Sequence, residues 1–185
     1  MPNPERILLV AATDLELCGQ PGLVCGVGPV EAAATLARLL AMDAPRAVLH
    51  VGLAGGRGLT PGTLVVGTEA IYADLKAEVP IVQQAHPDPA LVAAAQAAVP
   101  EAIALPIATS AAVAGSIGDA RHDARVEGME GFAVLRACEL GSVSAVEVRA
   151  ISNDVDEGDR ALWMMKRALG SLEGAIPRLL EALND

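Results

Sequence analysis

Carboxylate and amide side chains stand at the ends of the apolar segments of this chain. The first apolar run is followed by Asp14 and Glu16, and the last one by Asn153. Two further acids, Glu127 and Glu130, come shortly before that last run. A carboxylate can take up a proton or accept hydrogen bonds, and an amide both donates and accepts them. These residue types favour a site that binds a polar ligand and transfers a proton.

Segments typical of strands alternate with segments typical of helices, which predicts a largely parallel sheet covered on both faces. The predicted strands are Arg6–Ala12, Leu23–Val27, Ala47–Leu53, Thr63–Val66, Ala70–Tyr72, Ile103–Ala108 and Ser144–Ile151. The predicted helices run from Pro29 to about Met42, from Pro89 to about Val99, over Glu127–Leu140, and from about Asp159 onward with interruptions near Gly170 and Pro177. We expect one α/β domain over residues 1–185, with its ligand at the carboxyl ends of the strands.

The composition excludes several classes of function. The chain of 185 residues is 52% hydrophobic with a formal net charge of -10, which argues against nucleic-acid and anionic-membrane partners. Its three cysteines show no CxxC spacing, and the histidines lack metal-ligand spacing, so neither a disulfide framework nor a metal site is expected. No signal peptide or membrane span is expected either. The predicted location is cytoplasmic, with reduced thiols.

Two glycine-rich turns could bring the backbone close to a ligand. The turn "GLAGGRG" does not fit the GxxxxGK[ST] pattern of a P-loop, and "GVGPVE" fits only the first half of a dinucleotide fingerprint. The sequence therefore predicts no organic cofactor. It leaves open whether these glycines only form tight turns or also approach a substrate.

Four ordered blocks, "AATDLE", "VGLAGG", "MEG" and "VRAISN", resemble the nucleoside phosphorylase and nucleosidase superfamily. Within it, "ISNDVDEGDRALW" is most similar to futalosine hydrolases, and the resemblance runs from residue 6 to about residue 169. Those enzymes cleave futalosine to hypoxanthine and dehypoxanthine futalosine in the alternative menaquinone pathway. The resemblance implies a three-layer α/β/α sandwich of the purine nucleoside phosphorylase type with a mixed, mostly parallel sheet. It implies no cofactor and a small-molecule nucleoside as substrate.

The resemblance also implies roles for the polar residues. Glu16 falls on the carboxylate that activates water, Glu130 on the one that binds the ribose hydroxyls, and Met129 would pack on the sugar. Asn153 stands where adenine-releasing relatives carry Asp. An amide cannot protonate the purine, but it can hydrogen bond O6 or N7 of a 6-oxopurine, so Asn153 favours hypoxanthine as the leaving base.

Further substrate contacts are implied at Leu53, Ala54, Gly55 and Ser152. Leu53 replaces a hydroxyl residue of many relatives, and the second predicted strand has no arginine to hold phosphate, so water is favoured as the nucleophile. Arg57 keeps phosphorolysis open.

Other residues have several interpretations. Arg57, Arg160 and Lys166 are candidate partners for the benzoate-like group that futalosine carries. Trp163 either walls the purine or anchors the last helix. Arg149 is expected to pair with another buried charge.

The chain also departs from the superfamily pattern. It is short after Glu16 and after Tyr72, and "TSAAVAGSIG" lacks the aromatic residue that often stacks on the base. A partner subunit could complete the pocket, so we expect a homo-oligomer, a dimer or larger. Two other functions stay open: another purine nucleosidase or phosphorylase, of the inosine or methylthioadenosine type, and a purine-binding protein without turnover.

Overall fold

The computed structural model describes residues 6–75, 78–112 and 124–184. Within these ranges the chain forms eight strands and four α-helices. The strands are β1 (Ile7–Ala11), β2 (Leu23–Val24), β3 (Ala47–Gly56), β4 (Leu64–Tyr72), β5 (Gln84–Ala85), β6 (Ile103–Thr109), β7 (Val126–Gly128) and β8 (Ser144–Asn153). The helices are α1 (Pro29–Leu40), α2 (Pro89–Ala98), α3 (Gly131–Gly141) and α4 (Met165–Asn184). Short 3-10 helices at Asp14–Leu17 and Arg160–Leu162 follow β1 and precede α4.

All eight strands join one mixed, mostly parallel sheet. β1 lies parallel between β2 and β3, and β3 continues in parallel to β8. The next pairings, β8 with β4, β4 with β6, β6 with β7 and β7 with β3, close a ring of five strands. Each strand of the ring contributes one side chain to a small buried core of its own, formed by Ala54, Val65, Ile107, Val126 and Ile151.

Helices cover both faces of the sheet, as the predicted three-layer α/β/α fold requires. Side chains alternate along a strand, so Leu9 and Leu49 pack on one face with α2 and α4, while Leu8 and Val48 pack on the other with α1 and α3. Each large aliphatic side chain buried this way stabilises the fold by roughly 1.5–3 kcal/mol. The predicted fold class is confirmed.

Local signals explain where two of the helices begin. Gly28, with φ of 90°, precedes Pro29 at the first turn of α1, where a missing N–H removes no hydrogen bond. Asp88 caps α2, because its Oδ1 accepts from the backbone N–H groups of Ala90 and Leu91 at 2.8 and 3.4 Å. Both starts match the sequence prediction.

The predicted helix over Glu127–Leu140 begins too early. Val126–Gly128 instead forms β7, which pairs with both β3 and β6, and α3 starts at Gly131. Long-range pairing outweighs local preference in this segment, because its polar backbone groups bond to two neighbouring strands. Glu127 therefore belongs to a strand and not to the first turn of a helix.

Other boundaries also differ from the prediction. α4 starts at Met165 and runs without interruption through Gly170 and Pro177, because its apolar stripe packs on the sheet. β4 is one strand with a register shift against β6 between Gly67 and Ala70. β3 continues to Gly56, so "GLAGG" is strand and not turn. Among the residues described, no helix is both long and apolar enough to cross a membrane.

Candidate active site

A cleft of about 320 Å³ opens at the carboxyl ends of β1, β3 and β8. The structure brings to it all eight residues singled out for substrate or catalysis in the sequence. They are Glu16, Leu53, Ala54, Gly55, Met129, Glu130, Ser152 and Asn153. Six of them follow or end strands β1, β3 and β8, and Met129 and Glu130 join β7 to α3. Their grouping follows from the parallel strands, whose carboxyl ends meet at one edge of the sheet.

The Glu16 carboxylate is held in one position by three hydrogen bonds. Its Oε2 accepts from the backbone N–H of Thr13 at 3.0 Å and from the Thr13 hydroxyl at 2.8 Å. Its Oε1 accepts from the backbone N–H of Leu53 at 2.9 Å. The short helix after β1 and the end of β3 thus aim a carboxylate at the cleft. Three donors thus fix the orientation of both carboxylate oxygens.

Glu130 also lines the cleft and is 4% exposed. Its Oε1 accepts from the backbone N–H of Gly28 at 3.0 Å, and its Oε2 faces Arg149 Nη2 at 3.4 Å. Burial raises the pKa of Glu130 above its ordinary value, and the positive charge of Arg149 and the Gly28 N–H offset part of that rise. Arg149 and the Gly28 N–H therefore favour the charged form of Glu130 against the effect of its burial.

Arg149 is fully buried behind the cleft and pairs with Glu147, Nε to Oε1, at 2.7 Å. The expected role of Arg149 in a buried ion pair is thus confirmed, and the pair extends to Glu130. Burial disfavours the charge of the Arg149 guanidinium, but the carboxylates of Glu147, Glu130 and Glu16 together raise its pKa. His50, fully buried beside Arg149, has its pKa lowered well below the ordinary value by burial and by the arginine's charge, so it is neutral.

The side chains of Arg149 and Glu16 pack tightly against β3 at Gly52. A Cβ atom at Gly52 would overlap Arg149 Nη1 and lie 2.9 Å from Glu16 Oε1. Arg149 and Glu16 therefore converge on one point of the strand that only glycine leaves open. A side chain at Gly131 would likewise overlap the Glu147 carboxylate.

Asn153 is 7% exposed and its side-chain amide is fixed by its neighbours. Its Oδ1 accepts from the Ser152 hydroxyl at 2.6 Å, and its Nδ2 donates to the Asp154 carbonyl at 2.8 Å. Because Nδ2 carries two N–H groups, one remains to donate into the cleft. Asp154 points away from the cleft, with its Oδ1 accepting from the Asp156 N–H at 3.0 Å.

The sequence profile of the Phosphorylase superfamily matches residues 19–182. The chain belongs to the phosphorylase superfamily. Futalosine hydrolase from Streptomyces coelicolor is 35% identical in an alignment 184 positions long, which covers 87% of this chain and 78% of that protein. Futalosine hydrolase from Thermus thermophilus is 31% identical in an alignment 198 positions long, which covers 95% of this chain and 88% of that protein. The native structure of futalosine hydrolase from Helicobacter pylori has the same fold, with a TM-score of 0.82 at 16% identity over 97% of both chains. The resemblance inferred from the sequence is confirmed.

This phosphorylase-superfamily chain presents few cations to its cleft. Of the three candidates for a substrate's acidic group, Arg160 lines the cleft, whereas Arg57 and Lys166 do not. Arg57 instead pairs with Asp156 at 3.3 Å on the surface. The Arg160 guanidinium lies 5.3 Å from the centre of the Trp163 ring. Trp163 is half-buried and lines the cleft.

Two further cleft residues of this superfamily member were given no role from the sequence. Glu127, which is 8% exposed, faces the cleft from β7, and Thr13 reaches it beside Glu16. The position of Glu127 depends on β7, and no local signal separates this three-residue strand from a helix start. Thr13 could have been found as the residue three positions before Glu16, the spacing of a capping box. Of the three histidines considered as metal ligands in the sequence, His122 lies outside the described residues.

Proposed function

We propose that this chain hydrolyses the N-ribosidic bond of futalosine, releasing hypoxanthine and dehypoxanthine futalosine on a route to menaquinone. The observation that carries the proposal is that Glu16, Glu130 and Asn153 line one cleft. Its support from comparison is that two relatives named futalosine hydrolase match this chain over most of their own lengths. The proposal treats residues 1–185 as a single nucleoside phosphorylase-like domain.

Glu16 is suited to activate the attacking water. Its oxygens are fixed by Thr13 and Leu53, yet the carboxylate still lines the cleft. As the water oxygen bonds to C1′ of the ribose, Glu16 takes the proton that the water loses. The bond from C1′ to the purine nitrogen breaks, and its electron pair leaves with the purine. The ribose passes through an oxocarbenium-like state, which nearby carboxylates stabilise.

Glu130 is suited to hold the ribose. A carboxylate accepts hydrogen bonds from two adjacent hydroxyls, and Arg149 keeps Glu130 charged in spite of its burial. Met129 offers an apolar surface beside it. Oriented in this way, the sugar presents C1′ toward Glu16.

Asn153 selects the leaving base. Its oxygen is already bonded to Ser152, so the amide faces the cleft as a hydrogen-bond donor. Hypoxanthine presents acceptors at O6 and N7, whereas a 6-amino purine presents a donor at position 6. Asn153 cannot supply a proton, so it stabilises the departing purine by hydrogen bonding alone.

We predict that Asn153→Asp shifts the preference from hypoxanthine toward adenine release by about tenfold or more, because a carboxyl can accept from or protonate an adenine ring. The measurement is the ratio of kcat/KM for inosine and adenosine. Asp154→Asn is the matched control, since it exchanges the same groups one residue along and outside the cleft. Unchanged selectivity in Asn153→Asp would remove the role assigned to Asn153.

Water, and not phosphate, is the proposed nucleophile. Glu16, Glu127 and Glu130 surround the inner cleft, and Arg149 is already engaged by buried carboxylates. A phosphate dianion would be repelled there. Phosphorolysis of inosine or methylthioadenosine type would need a free cation beside the ribose, and Arg57 lies outside the cleft.

The proposal includes a homo-oligomer, a dimer or larger, located in the cytoplasm. Exposed apolar side chains border the cleft, with Leu15 67% and Val27 56% exposed, and a second subunit would cover them. The three cysteines are free thiols, which suits a reducing compartment. The proposed partner is a small nucleoside, and nucleic acid and membrane play no part.

The test is base release by the purified protein, followed by chromatography. Futalosine, inosine and methylthioadenosine are each supplied with and without phosphate. Hypoxanthine release from futalosine, at a rate independent of phosphate, is expected. Release only with phosphate would make the protein a phosphorylase, and hypoxanthine binding without any release would make it a binding protein.

The role of Glu16 has its own test. We expect Glu16→Gln to lower kcat by about 10²–10⁴-fold and to change substrate binding little, because the amide keeps the size but not the basicity. Asp14→Asn, an exposed change of the same kind two residues earlier, is the control. Normal turnover by Glu16→Gln would exclude water activation by this carboxylate.

A further inference from the structure

The charges of the cleft are distributed unevenly. Three carboxylates, Glu16, Glu127 and Glu130, line it together with the single cation Arg160, counting only the described cleft residues. Glu16 and Glu130 belong to the inner cleft, near β3 and α3. Arg160 follows β8 in a short helix at the outer side and is exposed to solvent. An anionic part of a ligand is therefore repelled by the inner cleft and attracted by the outer end.

The segment around Arg160 is built to hold its guanidinium over the cleft. The backbone N–H of Met164 donates to the Ser152 carbonyl at 2.8 Å, which ties the segment to β8 beside Asn153. The Trp163 indole N–H donates to the Glu157 carbonyl at 3.1 Å and orients the ring. The guanidinium then lies 5.3 Å from the centre of that ring, within the range of a cation–π contact.

Arg160 has no ion-pair partner among the parts of the chain that the structure describes. The two nearest acids in sequence are engaged by backbone groups. Glu157 Oε1 accepts from the Asp159 N–H at 2.7 Å, and Asp159 Oδ1 accepts from the Ala161 N–H at 2.9 Å. Arg57, by contrast, pairs with Asp156. The fork of donors on Arg160 is thus available to a ligand carboxylate.

We propose that Arg160 and Trp163 form the subsite for an aryl carboxylate carried on the 5′ side of the nucleoside. The ring of Trp163 offers a flat apolar wall to the aryl group, and Arg160 receives its carboxylate. This inference rests on the proposed function, because futalosine is the nucleoside with such a group. It makes Arg160 a specificity-determining residue that separates carboxylated substrates from plain nucleosides.

The test compares Arg160→Gln with the wild type on three substrates: futalosine, its methyl ester and inosine. We expect KM for futalosine to rise about tenfold to fiftyfold with kcat within about threefold, since a charge-assisted hydrogen bond is lost away from C1′. The ester and inosine should change less than about threefold. Added salt should raise KM for futalosine in the wild type and much less in Arg160→Gln. Arg160→Lys should restore part of the difference.

Arg57→Gln is the matched control, because it removes the same charge from a surface ion pair outside the cleft. It should leave all three substrates unchanged. If Arg160→Gln affects futalosine and its ester equally, or affects neither, the subsite is overturned while the hydrolysis stands. If the wild type binds futalosine without hydrolysing it and Arg160→Gln weakens that binding, the subsite stands and the proposed reaction fails. If the wild type does not bind futalosine, both fail.

Discussion

The two faces of the central sheet differ sharply in what they bury. Toward α2 and α4, the strands β3 and β8 present Leu49, Val51, Val146 and Val148 to an apolar core. Toward α1 and α3, the residues between them include His50, Glu147 and Arg149, all almost inaccessible to solvent. Alternate residues of the same strands thus serve two purposes. Both faces carry an apolar core, and the face toward α1 and α3 also holds the charges that position Glu130 in the cleft.

Replacing Arg149, on the face that holds the charges, should have the largest effect on stability and activity. We expect Arg149→Met to lower the free energy of unfolding by about 3–5 kcal/mol, because it leaves the buried carboxylates of Glu147 and Glu130 without their cation. The folded fraction should also lose most of its activity, since Glu130 would take up a proton. Urea denaturation and assays corrected for the folded fraction measure the two effects.

A change on the apolar face provides the contrast to Arg149→Met. Leu172→Ala, in α4, should lower the free energy of unfolding by about 2–5 kcal/mol, because it leaves a cavity in the core. Its kcat/KM, corrected for the folded fraction, should stay within about twofold of the wild type. If both variants lose activity in proportion to stability, the face toward α1 and α3 has no separate role in positioning Glu130.

The smallest expected effect is the contribution of His50 to the pH dependence of stability. Its pKa is lowered in the folded state by burial and by Arg149, so below about pH 6.5 the unfolded chain binds a proton that the folded chain does not. His50 therefore lowers stability as the pH falls from 6.5, by at most about 1.4 kcal/mol per pH unit. The free energy of unfolding of His50→Gln should therefore fall less steeply as the pH is lowered from 7 to 5. Urea denaturation at a series of pH values measures this dependence.

The control for His50 is His86→Gln, since the His86 side chain is 66% exposed. The free energy of unfolding of His86→Gln should depend on pH as that of the wild type does over the same range. A His50→Gln variant with an unchanged slope would show that His50 is not held neutral by the fold.

The sequence predicts the cleft better than it predicts the segments around it. The eight site residues follow strands or flank α3, and the position of strand ends can be inferred from apolar runs alone. Glu127 could not be placed, because a strand of three residues exists only through its two neighbours. Arg160 and Trp163 could not be ranked, because their place depends on a single long-range bond from Met164 to Ser152. The partners of Arg149 likewise come from β8 and from the start of α3.

The ring of five strands has a consequence for how the cleft comes into being. β7 joins β3 through only two residue pairs, Gly55 with Glu127 and Gly56 with Val126, although these partners are far apart in sequence. Pairing residues so far apart in sequence costs chain entropy, because the long loop between them must close. Gly55 and Glu127 are also cleft residues. The pairing that closes the ring therefore also forms one wall of the cleft, so a change that opens this pairing would open the pocket as well.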